Sequence, residues 1–218
     1  MKITKILGAV GAICLFTLFA GQAYTASDAH SSTTATPAVT LTEGKEYKSV
    51  VETPASEEPV IVEYFSYACP HCYSMEAYLD KWKKQKPEAI TFKRVPVIFR
   101  DSWEPYARAY YIAEHIGRLE ELHAKLFYFT HEEKKRIKNN RDLKAFFVAN
   151  GVDPKEFDGL VTSFVVDSQV NQARQLAKQF QITSTPMFII NDKYQTSGSM
   201  AGDYNTLFEV LNQVPLKK

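Results

Sequence analysis

The cysteine pair Cys69 and Cys72 is the feature of this sequence that most plainly indicates chemistry. The pair stands in the order Cys69-Pro70-His71-Cys72, and the third cysteine of the chain, Cys14, lies in an apolar N-terminal run. A disulfide with two intervening residues closes almost no loop. Because the stabilisation that a disulfide provides grows with loop length, this bridge would be a poor structural staple. The spacing therefore predicts a reactive dithiol.

Zinc binding is the alternative chemistry, since two cysteines and His71 can all bind the metal. A structural zinc takes four ligands, usually from a second CxxC or a spaced pair of histidines. After the N-terminal run there is no further cysteine, and His115, His123 and His131 match no common zinc spacing. We therefore expect redox chemistry and no metal.

The elements around the pair place it where a strand leads into a helix. Val60–Phe65 is β-rich and apolar, which predicts a buried strand. The stretch 73–84 predicts a helix, because three apolar residues recur at helical spacing: Met75, Leu79 and Trp82. Unpaired amides and the positive end of the dipole at a helix start lower the pKa of a thiol. We expect Cys69 to be the nucleophile and Cys72 to resolve mixed disulfides.

The composition narrows the class of protein. Of the 218 residues 45% are hydrophobic and 23% are charged, which allows one full-sized domain, with or without an insertion. The formal net charge is +1, and no basic run suggests a polyanion as partner. We expect no nucleic-acid partner.

The N-terminus predicts export. Residues 1–23 combine two lysines, an apolar run at 6–18 and small residues near position 23, which is typical of a cleaved secretory signal. The apolar run is shorter than the ~20 residues that a membrane span needs, so we expect no stable membrane anchor. Residues 24–40 are rich in Ser, Thr and Ala, which predicts a flexible leader. An exported chain whose two cysteines form a CxxC again indicates a catalytic pair.

The predicted element order is strand, helix, strand, helical block, hairpin and helix. Beyond the elements already named, we expect an edge strand at 48–52, a strand at 90–97, helices at 101–115, 119–130, 141–149, 154–164 and 167–180, strands at 187–190 and 193–197, and a helix at 203–214. This order predicts an α/β, thioredoxin-like core at 41–98 and 182–218 with an inserted all-helical domain at 99–181.

Three stretches together resemble a known family. Residues 65–72, the Thr-Pro-Met-Phe stretch at 185–188 and the hairpin residues 193–195 resemble the DsbA thiol:disulfide oxidases of bacterial envelopes. The similarity runs from about residue 41 to the C-terminus. It implies a periplasmic enzyme that donates its Cys69–Cys72 disulfide to reduced, unfolded secreted proteins and has no other cofactor. A membrane quinone-linked oxidase of the DsbB type would then reoxidise it.

The two residues between the cysteines are expected to adjust the reactivity of the thiols. His71 can donate a hydrogen bond towards Cys69 and adds positive charge when it is protonated. Pro70 removes an amide donor at a position where helices tolerate that loss. The alternative for His71 is a solvated residue at the start of the helix.

Glu63 lies in the predicted buried strand, where a carboxylate is costly unless it has a role. The family carries an acidic residue here, and we expect Glu63 to accept the proton of Cys72. On this view Glu63→Gln relieves a desolvation cost and loses no stability. The alternative is a glutamate at the strand end that reaches solvent.

The Thr185-Pro186 pair is the third part of the expected site. Thioredoxin-like enzymes carry a cis-proline that faces the CxxC, and the resemblance implies a cis bond here. The backbone of Thr185 could then bind an extended substrate by strand addition, while its side chain tunes Cys69. The alternative is an ordinary trans proline.

Two other functions compete with the oxidase. A disulfide isomerase or reductase uses the same chemistry, but isomerases of the related envelope group carry a dimerisation domain where this sequence has only a short leader. A redox-linked chaperone for unfolded chains would not need both cysteines.

Overall fold

The computed structural model describes residues 39–52 and 54–217. The predicted signal at 1–23 and nearly all of the predicted leader at 24–40 lie outside these residues. Within them, five strands form one sheet: β1 (Lys48–Ser49), β2 (Val60–Phe65), β3 (Thr91–Pro96), β4 (Met187–Ile190) and β5 (Tyr194–Thr196). Their order across the sheet is β1-β5-β4-β2-β3. Strand β2 runs parallel to β3 and antiparallel to β4, which forms the predicted hairpin with β5.

Eight α-helices accompany the sheet in the described part of the chain. They are α1 (Pro70–Gln85), α2 (Glu104–His115), α3 (Leu119–His131), α4 (Asn140–Ala149), α5 (Pro154–Val161), α6 (Phe164–Gln179), α7 (Gly198–Ala201) and α8 (Tyr204–Gln213). Helices α2 to α6 all lie between β3 and β4, so the predicted helical block between the second strand and the hairpin is confirmed. The domain limits at 98/99 and 181/182 stay predictions. None of these helices is both long and apolar enough to cross a membrane.

Four elements differ most from the prediction. The helix predicted at 154–164 ends at Val161, and the next helix begins at Phe164 instead of residue 167. The reason is Ser163, whose hydroxyl accepts a hydrogen bond from the backbone N–H of Val166 at 3.3 Å and so caps α6. The edge strand predicted at 48–52 is only two residues long, and the short helix α7 was not predicted.

The two faces of the sheet bury different side chains because residues alternate along each strand. On one face Ile61 of β2 packs with residues of α1 and α8, such as Leu79 and Leu207. On the other face Tyr64 packs with Phe180, which follows α6. Phe65, at the end of β2, belongs instead to the core of the helical block, together with both cysteines of the CxxC. The cysteine pair therefore lies where the sheet meets the helical block.

Candidate active site

The CxxC stands at the junction of β2 and α1, as predicted. Cys69 is the N-cap residue of α1, with extended backbone (φ −93°, ψ 117°), and Pro70 occupies the first turn. No side chain caps this helix start, so its amide groups remain available to the sulfur. Both cysteines are free thiols. Cys69 keeps 8% of its surface exposed and Cys72 none, which makes Cys69 the thiol that a substrate can reach.

The surroundings of the two sulfurs give them opposite acidities. A hydrogen bond from the Cys72 thiol is the largest cause that lowers the pKa of Cys69, to about 5. Burial opposes this shift, while the Thr185 side chain and the backbone N–H groups of Cys72 and His71 reinforce it. Burial, followed by the bond to Cys69 and the charge of Glu63, raises the pKa of Cys72. At neutral pH the reduced pair is one thiolate beside one protonated thiol.

The side chain of His71 is exposed to solvent. Its contribution to the acidity of Cys69 comes from the backbone N–H, which is one of the orphan donors of the first helical turn. The sequence predicts that the imidazole of His71 acts on Cys69, whereas the structure shows the backbone N–H of His71 lowering the pKa of Cys69. Pro70, also exposed, occupies a first-turn position where a missing N–H costs little.

The bond between Thr185 and Pro186 is cis, which confirms that expectation. Pro186 is buried, and Thr185 is partly buried. When Cys69 is protonated, its thiol lies 3.3 Å from the carbonyl oxygen of Thr185 and donates to it. The structure thus brings Cys69, Cys72 and the 185–186 loop together at one place.

A chain of buried and partly buried charged and polar side chains begins at Glu63. Glu63 is fully buried, and its Oε2 accepts a hydrogen bond of 2.8 Å from Nε of Arg94. Nη2 of Arg94 lies 3.1 Å from each carboxylate oxygen of Glu76. Nε2 of His123 lies 3.1 Å from Oε2 of Glu76, and its Nδ1 lies 2.8 Å from the hydroxyl of Tyr67. The sequence did not predict Arg94 or Glu76 as part of the site, and it offered His123 only as a possible zinc ligand.

The pKa shifts of Tyr67 and His123 determine which atoms of this chain carry protons. Burial raises the pKa of Tyr67 well above its usual value, so the phenol keeps its proton and donates to Nδ1 of His123. Burial, aided by the charge of Arg94, lowers the pKa of His123 to about 3, so the imidazole is neutral. Its remaining proton then belongs on Nε2, which donates to Glu76.

Arg94 is the cation that both buried carboxylates share. Burial disfavours its charge, but Glu63 and Glu76 more than offset this and raise its pKa. Burial also raises the pKa of Glu63 and of Glu76, and Arg94 opposes both shifts. Oε1 of Glu63 is buried without a hydrogen-bond partner among the described residues. A buried carboxylate oxygen with no donor is a strong candidate to take up a proton.

Sequence signals for this chain of residues existed but were weak. Glu76 follows Cys72 by four positions and therefore lies on the same face of α1. Glu63 and Arg94 face each other in the parallel register of β2 and β3. Within 39–52 and 54–217, no group of three His, Cys, Asp or Glu side chains could hold a metal ion.

Comparison with known proteins agrees with this geometry. The family model described as a DSBA-like thioredoxin domain matches residues 90–204, and that of thioredoxin matches residues 38–113. A thiol:disulfide interchange protein DsbA from Bordetella parapertussis is 35% identical over 164 residues, which cover 75% of this chain and 77% of the relative. The chain belongs to the DsbA family. It is therefore a thiol:disulfide oxidoreductase with a thioredoxin-like fold.

Solved structures of DsbA proteins share the fold. The crystal structure of Pseudomonas aeruginosa DsbA matches with a TM-score of 0.72 and 28% identity, over 80% of this chain and 93% of that one. A variant of Proteus mirabilis DsbA in complex with a non-covalently bound peptide matches with a TM-score of 0.72 and 28% identity. That match covers 82% of this chain and all of the other.

Proposed function

We propose that this DsbA-family protein oxidises pairs of cysteines in unfolded, exported polypeptides by donating a Cys69–Cys72 disulfide. The observation that carries the proposal is the position of Cys69 as the partly exposed N-cap residue of α1, in front of the fully buried Cys72. This position lowers the pKa of Cys69 to about 5, beside the protonated thiol of Cys72. A thiolate that is stabilised in the folded protein stabilises the reduced form. The disulfide form is then the stronger oxidant.

The exchange proceeds in two displacements. A substrate thiolate attacks Sγ of Cys69, forms a mixed disulfide and expels Cys72, which takes up a proton because its pKa is raised. A second substrate thiolate attacks the substrate sulfur and expels Cys69, whose low pKa makes it a good leaving group. The substrate loses two electrons and two protons and forms its disulfide. The enzyme disulfide gains both electrons, Cys72 keeps one proton, and the other goes to solvent.

We assign the substrate-binding backbone to Thr185, next to the buried Pro186. The Thr185 carbonyl lies beside the reactive sulfur, and this backbone could pair with an extended peptide by strand addition. The peptide that P. mirabilis DsbA binds non-covalently supports a peptide site in this family.

We assign proton transfer at Cys72 to Glu63. Its charge is among the causes that raise the pKa of Cys72, and its Oε1 has no partner in the described part of the chain. In the oxidation of a substrate, the group would return a proton to the departing Cys72. When the enzyme is recharged, it would accept the proton before Cys72 attacks the mixed disulfide on Cys69.

Recharging needs an external oxidant. We propose a membrane quinone-linked oxidase of the DsbB type as partner and the periplasm as compartment, which agrees with the secretory signal that the sequence predicts at 1–23. The redox-active disulfide would be the only cofactor.

The reduction potential of the Cys69–Cys72 couple, measured by equilibration with glutathione, tests the proposal. We expect a couple more oxidising than glutaredoxins, which lie at about −200 to −230 mV. A potential near that of thioredoxin, about −270 mV, would make the protein a reductant and overturn the oxidase assignment. Rescue of scrambled ribonuclease without net oxidation would favour an isomerase instead.

A further inference from the structure

A cationic groove opens beside the active site, on the side of the helical block. It begins at Ala68 and Pro70, the residues before and after Cys69, and has a volume of about 460 Å³. Its charged lining consists of four cations and includes no acidic side chain: Arg100, Lys134, Arg136 and Lys138. Three of them belong to the loop between α3 and α4. Contrary to the expectation of no basic run, positions 134–138 hold four cations in five residues.

This loop is held firmly against the active-site segment. Ile137 is only 2% exposed, and its backbone N–H donates to the hydroxyl of Tyr106 at 3.2 Å. Just before the loop, Nε2 of His131 donates to the carbonyl oxygen of Tyr67 at 2.8 Å. The His131 ring stacks on Tyr73 of α1, with ring centres 4.9 Å apart. The backbone that carries the cations therefore keeps a defined position relative to Cys69.

In the described part of the chain, the groove cations have no acidic partner at ion-pair distance. None of the four forms a salt bridge with a residue that the structure describes. Lys135, the remaining cation of the loop, differs from these four because it forms a salt bridge and does not line the groove. Its Nζ lies 2.7 Å from Oε2 of Glu133 and over the ring of Phe129. The groove beside the reactive thiol is thus lined by four cations that form no ion pair with the residues described here.

We propose that this groove binds acidic segments that flank the reacting cysteine of a substrate polypeptide. The inference rests on the proposed function, because the groove starts at the residues around Cys69 and any occupant must be continuous with the chain that reacts there. Apolar side chains of Trp103, Tyr106 and Ile137 also line the groove and suit a polypeptide. A cleft lined by charges of one sign raises the local concentration of oppositely charged substrates and their association rates by about 10- to 10³-fold.

Stopped-flow kinetics of the oxidised full-length protein can test this. The substrates are three cysteine peptides of equal length, with acidic, neutral or basic residues next to the cysteine. The variants are Arg136→Gln and Lys138→Gln, singly and together, and the matched control is Lys135→Gln from the same loop. All three side chains are exposed, so the substitutions should not disturb folding. Each peptide is compared with itself across variants, which cancels its own thiol reactivity.

At low ionic strength we expect the double variant to slow the acidic peptide about 10-fold more than the neutral one. The difference should shrink in 1 M salt, where the Debye length is about 3 Å. Lys135→Gln should leave both rates unchanged. Equal losses for all peptides, or a matching loss of the acidic peptide in Lys135→Gln, would overturn the proposal.

Three further outcomes separate this inference from its alternatives. If the protein binds vesicles of anionic phospholipid through Arg136 and Lys138 while the peptides show no charge preference, the groove faces a membrane and the proposal is wrong. If the oxidised protein reacts with the neutral peptide but shows no preference, only the groove assignment fails. If it reacts with no peptide at all, the proposed oxidase function fails.

Discussion

The carbonyl oxygen of Thr185 lies 3.3 Å from the sulfur of Cys69, although 116 positions separate the two residues. The entire helical block occupies the interval between them. The start of α1 and the loop before β4 therefore meet because β2 and β4 are neighbours in the sheet. At this contact Cys69 keeps 8% of its surface exposed, whereas Cys72 is fully buried. The two thiols should consequently behave differently in every assay that distinguishes them.

Removing one cysteine at a time should separate their roles. Cys72→Ala keeps the exposed nucleophile but lacks the thiol that resolves, so it should accumulate mixed disulfides with reduced substrate proteins. Cys69→Ala retains only a buried thiol of raised pKa and should trap none. Non-reducing electrophoresis with mass spectrometry measures both. Equal alkylation rates of the two thiols near neutral pH would contradict the assignment.

The reduced protein should be more stable than the oxidised protein at neutral pH. The pKa of Cys69 is about 5 when folded, against about 8.5 for an unfolded cysteine. Since the folded pKa is depressed, the stabilisation is complete above the unfolded pKa and is lost as pH falls through 5. Each unit is worth about 1.4 kcal/mol, so roughly 3 kcal/mol is available at pH 7. Denaturant unfolding of both forms from pH 4 to pH 9 measures the gap, and an oxidised form that is more stable at pH 7 would contradict it.

Thr185→Val should raise the pKa of Cys69, because the hydroxyl that stabilises the thiolate is lost. The ultraviolet absorbance of the thiolate during a pH titration measures this shift. His71→Ala serves as the comparison. This substitution keeps the backbone N–H of residue 71 and removes only the exposed imidazole. Any shift it causes in the pKa of Cys69 therefore measures the electrostatic effect of the imidazole. If Thr185→Val leaves the titration unchanged, the Thr185 side chain does not tune the thiol.

How far the sequence predicts the fold depends on which forces define each element. The bounds of β2 follow from a run of apolar and β-branched residues, and the start of α1 follows from the CxxC and Pro70. The boundary between α5 and α6 was misplaced because Phe164 continues the apolar pattern of the preceding helix. In the structure Phe164 is 87% exposed, and the hydrogen bond to Ser163 decides where α6 begins. A local cap outweighed the hydrophobic pattern.

The interior of the site was harder to predict, because it depends on register and on helix packing. The sequence identified Glu63 as a buried carboxylate, but the partner that lowers its cost is 31 positions away. The register that brings Arg94 opposite Glu63 is set by the whole sheet, and His123 reaches Glu76 only when α3 packs on α1. The expectation that Glu63→Gln would lose no stability assumed an unpaired carboxylate. Because Glu63 forms an ion pair with Arg94, Glu63→Gln should instead cause a modest loss of stability.

Arg94→Met should be strongly destabilising, because it leaves two carboxylates buried without their shared cation. Breaking a buried ion pair costs about 3–5 kcal/mol. Both glutamates already have raised pKa values, and without Arg94 these values rise further. A raised folded pKa costs stability as pH rises through it, so the penalty should be largest at neutral pH and shrink in acid. Lys93→Met, an exposed cation on the same strand, should cost little at any pH. A loss that does not vary with pH would show that Arg94 contributes through packing alone.

Glu63→Gln tests whether the buried carboxylate transfers the proton of Cys72. The substitution keeps the shape of the side chain and an oxygen that can accept from Arg94, but it removes the basic group. Steps in which Cys72 gains or loses its proton should slow by about 10²-fold, at the lower end of general acid–base effects. These are the attack of Cys72 on a mixed disulfide and the reverse displacement. Alkylation of the Cys69 thiolate does not involve the Cys72 proton and should be nearly unchanged.

Glu76→Gln is the matched control. It removes the negative charge of the other carboxylate that pairs with Arg94, and it leaves intact the Glu63 carboxylate that acts on Cys72. It should leave the resolution rate close to that of the parent protein. The pH dependence adds an independent check. Since Glu63 must be ionised to accept a proton and its pKa is raised, resolution in the parent should slow as pH falls through that raised value. The Gln variant should lack this acid limb. If both variants resolve mixed disulfides at the parental rate, the proton of Cys72 passes directly to water and Glu63 is structural.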